Sequence, residues 1–116
     1  MTRQEIIDYC LTYPDAYEDY PFEEKSDPGA STAMRHRSNK KIFALINERH
    51  GLGVNLKCDP MRADFLRGAY EGVRPGYHMN KMHWNTVAIP SDVTNDALLD
   101  MIDHSYELTA PKKCTK

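Results

Sequence analysis

The sequence predicts an α+β fold, a two-layer sandwich in which an antiparallel sheet carries its helices on one side. Three observations point there. Three strand-like runs follow one another between Thr32 and Cys58. Segments with helical spacing of apolar residues stand at both ends and in the middle. A chain of 116 residues at 41% hydrophobic and 28% charged is the size of one domain with a single core. The predicted order is helix, three strands, helix, strand, helix, which is not the alternation of βαβ units.

Each element has a local reason. Thr2 to Leu11 is the first helix: Thr2 caps it, Glu5 completes a capping box, and Ile6, Ile7, Cys10 and Leu11 form its apolar stripe. Tyr13-Pro14 stops it, because the residue before proline avoids helical angles. Residues 15–29 are acidic and aromatic, a connection whose aromatics cover the core edge, with a flexible tip over 26–32. Thr32 to Arg37 is the first strand and Ser38-Asn39 a tight turn, since Asn tolerates left-handed angles. Lys41 to Asn47 is a central strand by its run Ile42-Phe43-Ala44-Leu45-Ile46. After His50-Gly51, Val54, Leu56 and Cys58 alternate with Asn55 and Lys57, as in a strand with one wet face.

Asp59 as cap and Pro60 at the first helical position open a second helix. It runs to about Ala69, with Met61, Phe65 and Ala69 on one side. Gly72, Pro75 and Gly76 mark a loop. Trp84 to Ile89 is the fourth strand, ended by Pro90. Ser91 or Thr94 caps a last helix reaching about Leu108. Its core stripe is Leu98, Met101, Ile102, Ser105 and Leu108, with Asp96, Asp100, Asp103 and Glu107 in water. Residues 110–116 read as a flexible tail of the single domain 1–116.

Charge is segregated along the chain. Residues 1–27 hold eight acids and two bases, residues 28–89 ten bases and four acids, and residues 90–116 five acids and three bases. A basic centre between acidic flanks can place one positive face on the domain, although the whole chain is at −2. No run approaches the roughly 18 apolar residues of a membrane helix. The first residues carry no apolar signal region, and three cysteines without a CxxC pair fit a reducing, cytoplasmic setting.

Two constellations carry chemistry. The stretch from Gly76 to Val87 gathers His78, Asn80, Lys81, His83 and the sole tryptophan, Trp84. These can contact phosphates or an anion and stack a base, or pin a loop to the sheet. Arg35, Arg37, Lys40 and Lys41 flank the Ser38-Asn39 turn. They can release counterions from phosphates as a ribbon in a groove, or blunt a sheet edge. His78 and His83 lack a ligand-pair spacing for zinc. Cys58 shares the apolar face of its strand and reads as an inert thiol. The glycines are scattered, with no phosphate loop. No metal, cofactor or catalytic activity is expected.

Several of these stretches together resemble a known family. Tyr17-Glu18-Asp19-Tyr20-Pro21-Phe22, Met34-Arg35-His36, Asn55-Leu56-Lys57-Cys58-Asp59-Pro60, Gly76-Tyr77-His78-Met79-Asn80-Lys81-Met82-His83-Trp84-Asn85-Thr86 and Ile102-Asp103-His104-Ser105-Tyr106 look like the MmcQ/YjbR family of small bacterial proteins. That pattern usually has a tryptophan before the Met-Arg-His strand. Residues 25–33 stand there in this chain, so no contact is carried over to that loop. The resemblance implies a double-wing-like α+β fold and DNA binding, with Arg35, Lys57, Asn80, Lys81, His83 and Trp84 at matching positions. The expected function is therefore a non-catalytic domain contacting phosphates of double-stranded DNA through Arg35, Arg37, Lys40, Lys41, Lys57, Asn80, Lys81, His83 and Trp84. The alternatives are a protein- or peptide-binding adaptor and a small-anion-binding domain. No membrane partner is expected.

Overall fold

The computed structural model describes residues 1–22, 26, 30–48, 51–76 and 80–111. In chain order the elements are α1 (Arg3–Cys10), β1 (Ala16–Asp19), β2 (Thr32–His36), β3 (Ile42–Asn47), β4 (Leu52–Lys57), α2 (Pro60–Ala69), β5 (Val73–Pro75), β6 (Trp84–Ile89) and α3 (Asn95–Thr109). The strands form one antiparallel sheet in the order β1-β2-β3-β4-β6-β5. This is the α+β fold and helix–strand order expected, with a short strand added at each edge. β5 is three residues long and ends in Pro75, a residue that suits an edge because it has no N–H to give a ladder.

The helices lie on one face of the sheet. Ile6, Ile7 and Cys10 of α1 and Leu98, Met101 and Ile102 of α3 share a core with Phe43, Val54, Leu56 and Val87. α2 is tied to the same side. Asn85 alternates in phase with Val87 along β6, and its Nδ2 donates to the Ala63 carbonyl at 3.3 Å. The intervening residues, among them Leu45, Asn55, Lys57, Trp84 and Thr86, point to the opposite face. No described helix covers that face.

α1 begins as expected: Thr2 accepts from the Glu5 N–H, and Glu5 accepts from the Thr2 N–H. Arg3 then reaches across to β2, donating to Thr32 Oγ1 at 2.7 Å and to the Ala30 carbonyl. Ala30, Ser31 and Thr32 are consequently buried, not the flexible tip expected. Residues 27–29, which complete that tip, are outside the described residues, as are His50, Tyr77, His78, Met79 and most of the 110–116 tail.

α3 is capped by Thr94, whose side chain accepts from Ala97 N–H at 3.1 Å. Its buried stripe ends on Thr109; Leu108 is exposed. Asp103 leaves the solvent face as well. Tyr9 donates to its Oδ1 at 2.7 Å and Tyr13 donates to the same oxygen, while the Tyr13 ring stacks on Tyr106 at 4.0 Å. These contacts lock α1 to α3. Along α2 the side turned to the sheet is Ala63, Leu66 and Arg67. Met61 and Phe65 are 84% and 70% exposed.

β2 and β3 pair through a bulge. Met34 faces Ala44 but Arg35 faces Ile42, so Phe43 is the extra residue. The β2–β3 turn has its left-handed residue at Lys40, φ 65°. Asn39 stays outside that region because its side chain is engaged. Its Oδ1 accepts from Lys41 N–H and its Nδ2 donates to the Thr109 carbonyl, both at 2.9 Å.

Candidate nucleic-acid interface

The antiparallel order brings four chain segments to one end of the sheet: the end of β2, the start of β3, the end of β4 and the start of β6. The predicted contacts Arg35, Arg37, Lys40, Lys41, Lys57, Asn80, Lys81, His83 and Trp84 lie on or beside these termini. Strands spaced 4.7–4.9 Å apart put β6 about 14 Å from β2. A cluster scattered over half the sequence is thereby gathered at one end.

On the helix-free face at this end stand Tyr17, Arg35 and Ile42, side by side on three strands. Lys57 and Trp84 continue the row beyond the bulge as direct cross-strand partners. Cys58 N–H donates to the His83 carbonyl at 2.7 Å. The Lys57–Trp84 pair beside it is therefore of the non-hydrogen-bonded kind, in which side chains stand closest. Both residues are partly exposed. The next pair along, Asn55 and Thr86, is spent internally: Thr86 donates to Asn55 Oδ1 at 2.5 Å, and Asn55 Nδ2 donates to the Leu45 carbonyl at 3.4 Å.

The basic turn is held down, not projecting. Arg37 N–H donates to the Asp15 carbonyl at 2.7 Å, and Ser38 N–H to Asp15 Oδ2 at 3.1 Å. Hydrogen bonds from Ser38, its backbone N–H first, hold the Asp15 carboxyl below its ordinary pKa. With the Asn39–Thr109 bond, they fasten the turn to the lead-in of β1 and the end of α3. Arg35 is partly neutralised, its Nε on Asp19 Oδ2 at 2.8 Å and its Nη1 on the Lys40 carbonyl at 2.7 Å. The Arg37 guanidinium and Lys40 ammonium lie 5.6 and 5.3 Å from the Tyr17 ring centre, within cation–π range. Among the described residues no ion pair engages Lys41, Lys57 or Lys81.

The segment before β6 is organised by two residues, Asn80 and Arg67. Asn80, a predicted contact, shapes the loop: its Oδ1 accepts from Met82 N–H and its carbonyl from His83 N–H. Arg67, which was not singled out, binds the loop from α2. It donates to Asn85 Oδ1 at 2.6 Å, to the Trp84 carbonyl at 3.2 Å and to the Lys81 carbonyl. No sequence signal marks Arg67 apart from the other bases; only the packing of α2 on β6 assigns it this task. Gly76 closes the loop against Trp84, where a Cβ would meet Trp84 Cβ at 2.8 Å.

Beneath this end sits His36, fully buried against Phe43 and Tyr106. Its Nε2 is 2.8 Å from Thr109 Oγ1. Thr109 donates its own hydroxyl hydrogen to the Ser105 carbonyl, so His36 is the donor to it and carries its proton on Nε2. Its Nδ1 has no hydrogen-bond partner and lies 3.9 Å from Asp15 Oδ2. Burial lowers the His36 pKa, with Asp15 opposing that effect.

Neither of two cavities among the described residues suits an anion. The one between α2, α3 and β4, lined by Cys58, Leu66, Met101 and His104 among others, measures about 10 Å³, room for about one water. Burial raises the Cys58 pKa and pushes Cys10 up to about 12. A larger cleft of about 270 Å³ lies at the far end of β6, by Ile89, Pro90 and Val93, with no Lys, Arg or His in its lining. Among the described residues no three His, Cys, Asp or Glu side chains group as metal ligands. No described helix is long and apolar enough to cross a membrane.

The whole arrangement has relatives. The uncharacterized protein YyaQ of Bacillus subtilis (strain 168) is 32% identical over 120 residues, spanning 94% of this chain and 98% of its own. The uncharacterized protein YjbR of Escherichia coli (strain K12) is 31% identical over 108 residues, 92% of this chain and 86% of that one. A crystal structure of a Deinococcus radiodurans protein superposes with a TM-score of 0.83 at 30% identity, over 99% of this chain and 83% of that one. A Pseudomonas syringae protein gives 0.82 at 30% identity, over 95% and 100%. The YjbR family model matches residues 11–108, and the chain belongs to the YjbR family.

Proposed function

We propose that this protein is a non-catalytic binding domain that contacts the phosphates of DNA through the basic end of its sheet. The observation carrying this reading is convergence: Arg37, Lys40, Lys41, Lys57 and Lys81, from separate stretches of sequence, meet at the termini of β2, β3, β4 and β6. Lys41, Lys57 and Lys81 have no acidic partner among the described residues to neutralise them. Such a patch gains affinity by releasing counterions, and sequence-independent contact follows from having no helix placed to read bases.

The test is charge reversal. With about four phosphates contacted, affinity for a duplex falls on the order of 100-fold between about 50 and 200 mM salt. Lys40→Glu with Lys41→Glu removes most of the binding at the lower salt. Unchanged affinity in that variant contradicts the reading. One observation favours a second reading, a protein- or peptide-binding adaptor: Met61 and Phe65, one turn apart on α2, are strongly exposed, as contact residues for an apolar partner are.

A further inference from the structure

We propose that the helix-free face of the sheet is a track for single-stranded DNA, with Trp84 stacking a base and Lys57 holding a neighbouring phosphate. This deepens the DNA reading above and rests on it.

Three features of the fold favour a strand over a duplex. First, the β2–β3 turn is fastened by Asp15 and Thr109, and β2 and β3 are interior strands flanked by β1 and β4. They form no free ribbon to enter a major groove. Second, the row across the face runs Tyr17, Arg35, Ile42, Lys57, Trp84. Each aromatic at its ends has a cation beside it. The row spans about 19 Å at ordinary strand spacing. An aromatic with a cation beside it suits a single strand, since its bases are free to splay and every base has a π-face. Third, Asn55 and Thr86, the polar pair next to Lys57 and Trp84, satisfy each other and the Leu45 carbonyl. They are not free to read base edges or a 2′-hydroxyl, so binding is by stacking and charge.

Trp84 is the sole tryptophan, so its fluorescence reports directly on the track. The wild-type chain is titrated with an oligo-dT of about 12 nucleotides, with a duplex of the same length and with the matching oligo-U. The expected result is quenching by the DNA strand and about 10-fold tighter binding of strand than duplex. Trp84→Leu, checked for native circular dichroism and read by the anisotropy of a dye-labelled strand, weakens strand binding about 10- to 100-fold. Lys57→Gln, on a partly exposed side chain, lowers the salt slope by about 0.7. A duplex bound as tightly as the strand, with Trp84 emission unmoved, overturns the single-strand track while leaving the phosphate reading standing. Oligo-U bound about 10-fold more tightly than oligo-dT overturns the assignment to DNA. Loss of binding to strand and duplex alike overturns both.

Discussion

The hydroxyl of Ser105 stands between two strands of the sheet: it accepts from Lys57 N–H at 2.9 Å and donates to the Phe43 carbonyl at 2.6 Å. Continuing the β3–β4 register by one residue puts Phe43 opposite Lys57. The bulge at Phe43 opens the ladder there, and a fully buried side chain from α3 closes it. One hydroxyl thus joins α3 to the sheet directly under the basic end. Ser105→Ala leaves a buried donor and a buried acceptor without partners, each costing about 1–3 kcal/mol. A urea melt of the variant is expected to show a loss of about 2–6 kcal/mol for the two groups together, with faster hydrogen exchange at the Lys57 amide. Wild-type exchange at that amide contradicts the bridge.

Lys40 combines a left-handed backbone, φ 65°, with a charge in the candidate interface. For a residue bearing a Cβ that conformation costs about 1–2 kcal/mol, which glycine avoids. Lys40→Gly is therefore expected to leave the fold as stable as wild type or up to about 1 kcal/mol more stable, while weakening DNA binding. Thermal melts and salt-dependent binding separate the two effects. A clear loss of stability contradicts the backbone account.

Arg67 supplies donors to three acceptors of the 81–85 segment. Arg67→Met keeps the stem packed and removes every donor. The expected cost is about 1–3 kcal/mol, read by chemical denaturation, with loosened exchange at residues 81–84. Because Arg67 positions Lys81 and Trp84 from α2, DNA affinity falls together with loop order. Full affinity with a disordered loop contradicts that role.

Stability should also fall on mild acidification. Burial lowers the pKa of His36, and burial with the nearby Arg62 lowers that of His104. The unfolded chain, with ordinary histidines near 6.5, then binds protons that the folded chain resists, so stability rises with pH in this window. It is complete above about pH 6.5 and is lost as pH drops below that value toward the lowered folded values. Urea melts at pH 7.5 and 5.5 check this, with His36→Gln expected to flatten the dependence. Asp15 and Asp92, held low by backbone N–H donors, lose their contribution only in the more acidic carboxylate range.

What was legible in the sequence were features with local causes. The Thr2–Glu5 capping box, the β6 limits at Trp84 and Ile89 and the buried Cys58 each follow from neighbouring residues, and of the two caps expected for the last helix, Ser91 and Thr94, the chain uses Thr94. β1 was hidden because three of its four residues, Tyr17, Glu18 and Asp19, are polar or half-exposed on an edge. β5 was hidden by its shortness. α2 misled because its apolar stripe, Met61 and Phe65, faces water while Ala63 and the aliphatic stem of Arg67 face the sheet. Asp103 read as a solvent residue because its partners, Tyr9 and Tyr13, come from the far end of the chain. The site residues could be chosen from charge and family resemblance, but that they meet depends on β4 lying next to β6, which only the whole topology decides.

The most direct measurement of the central claim is an NMR titration of the isotope-labelled protein with a short random DNA at about 50 mM salt, repeated at about 200 mM. It follows the backbone amides and the Trp84 indole. The account predicts shifts concentrated on residues 35–41, 57 and 80–84, fading as salt rises. Silence at both salts, or shifts centred on Met61 and Phe65 instead, would contradict it.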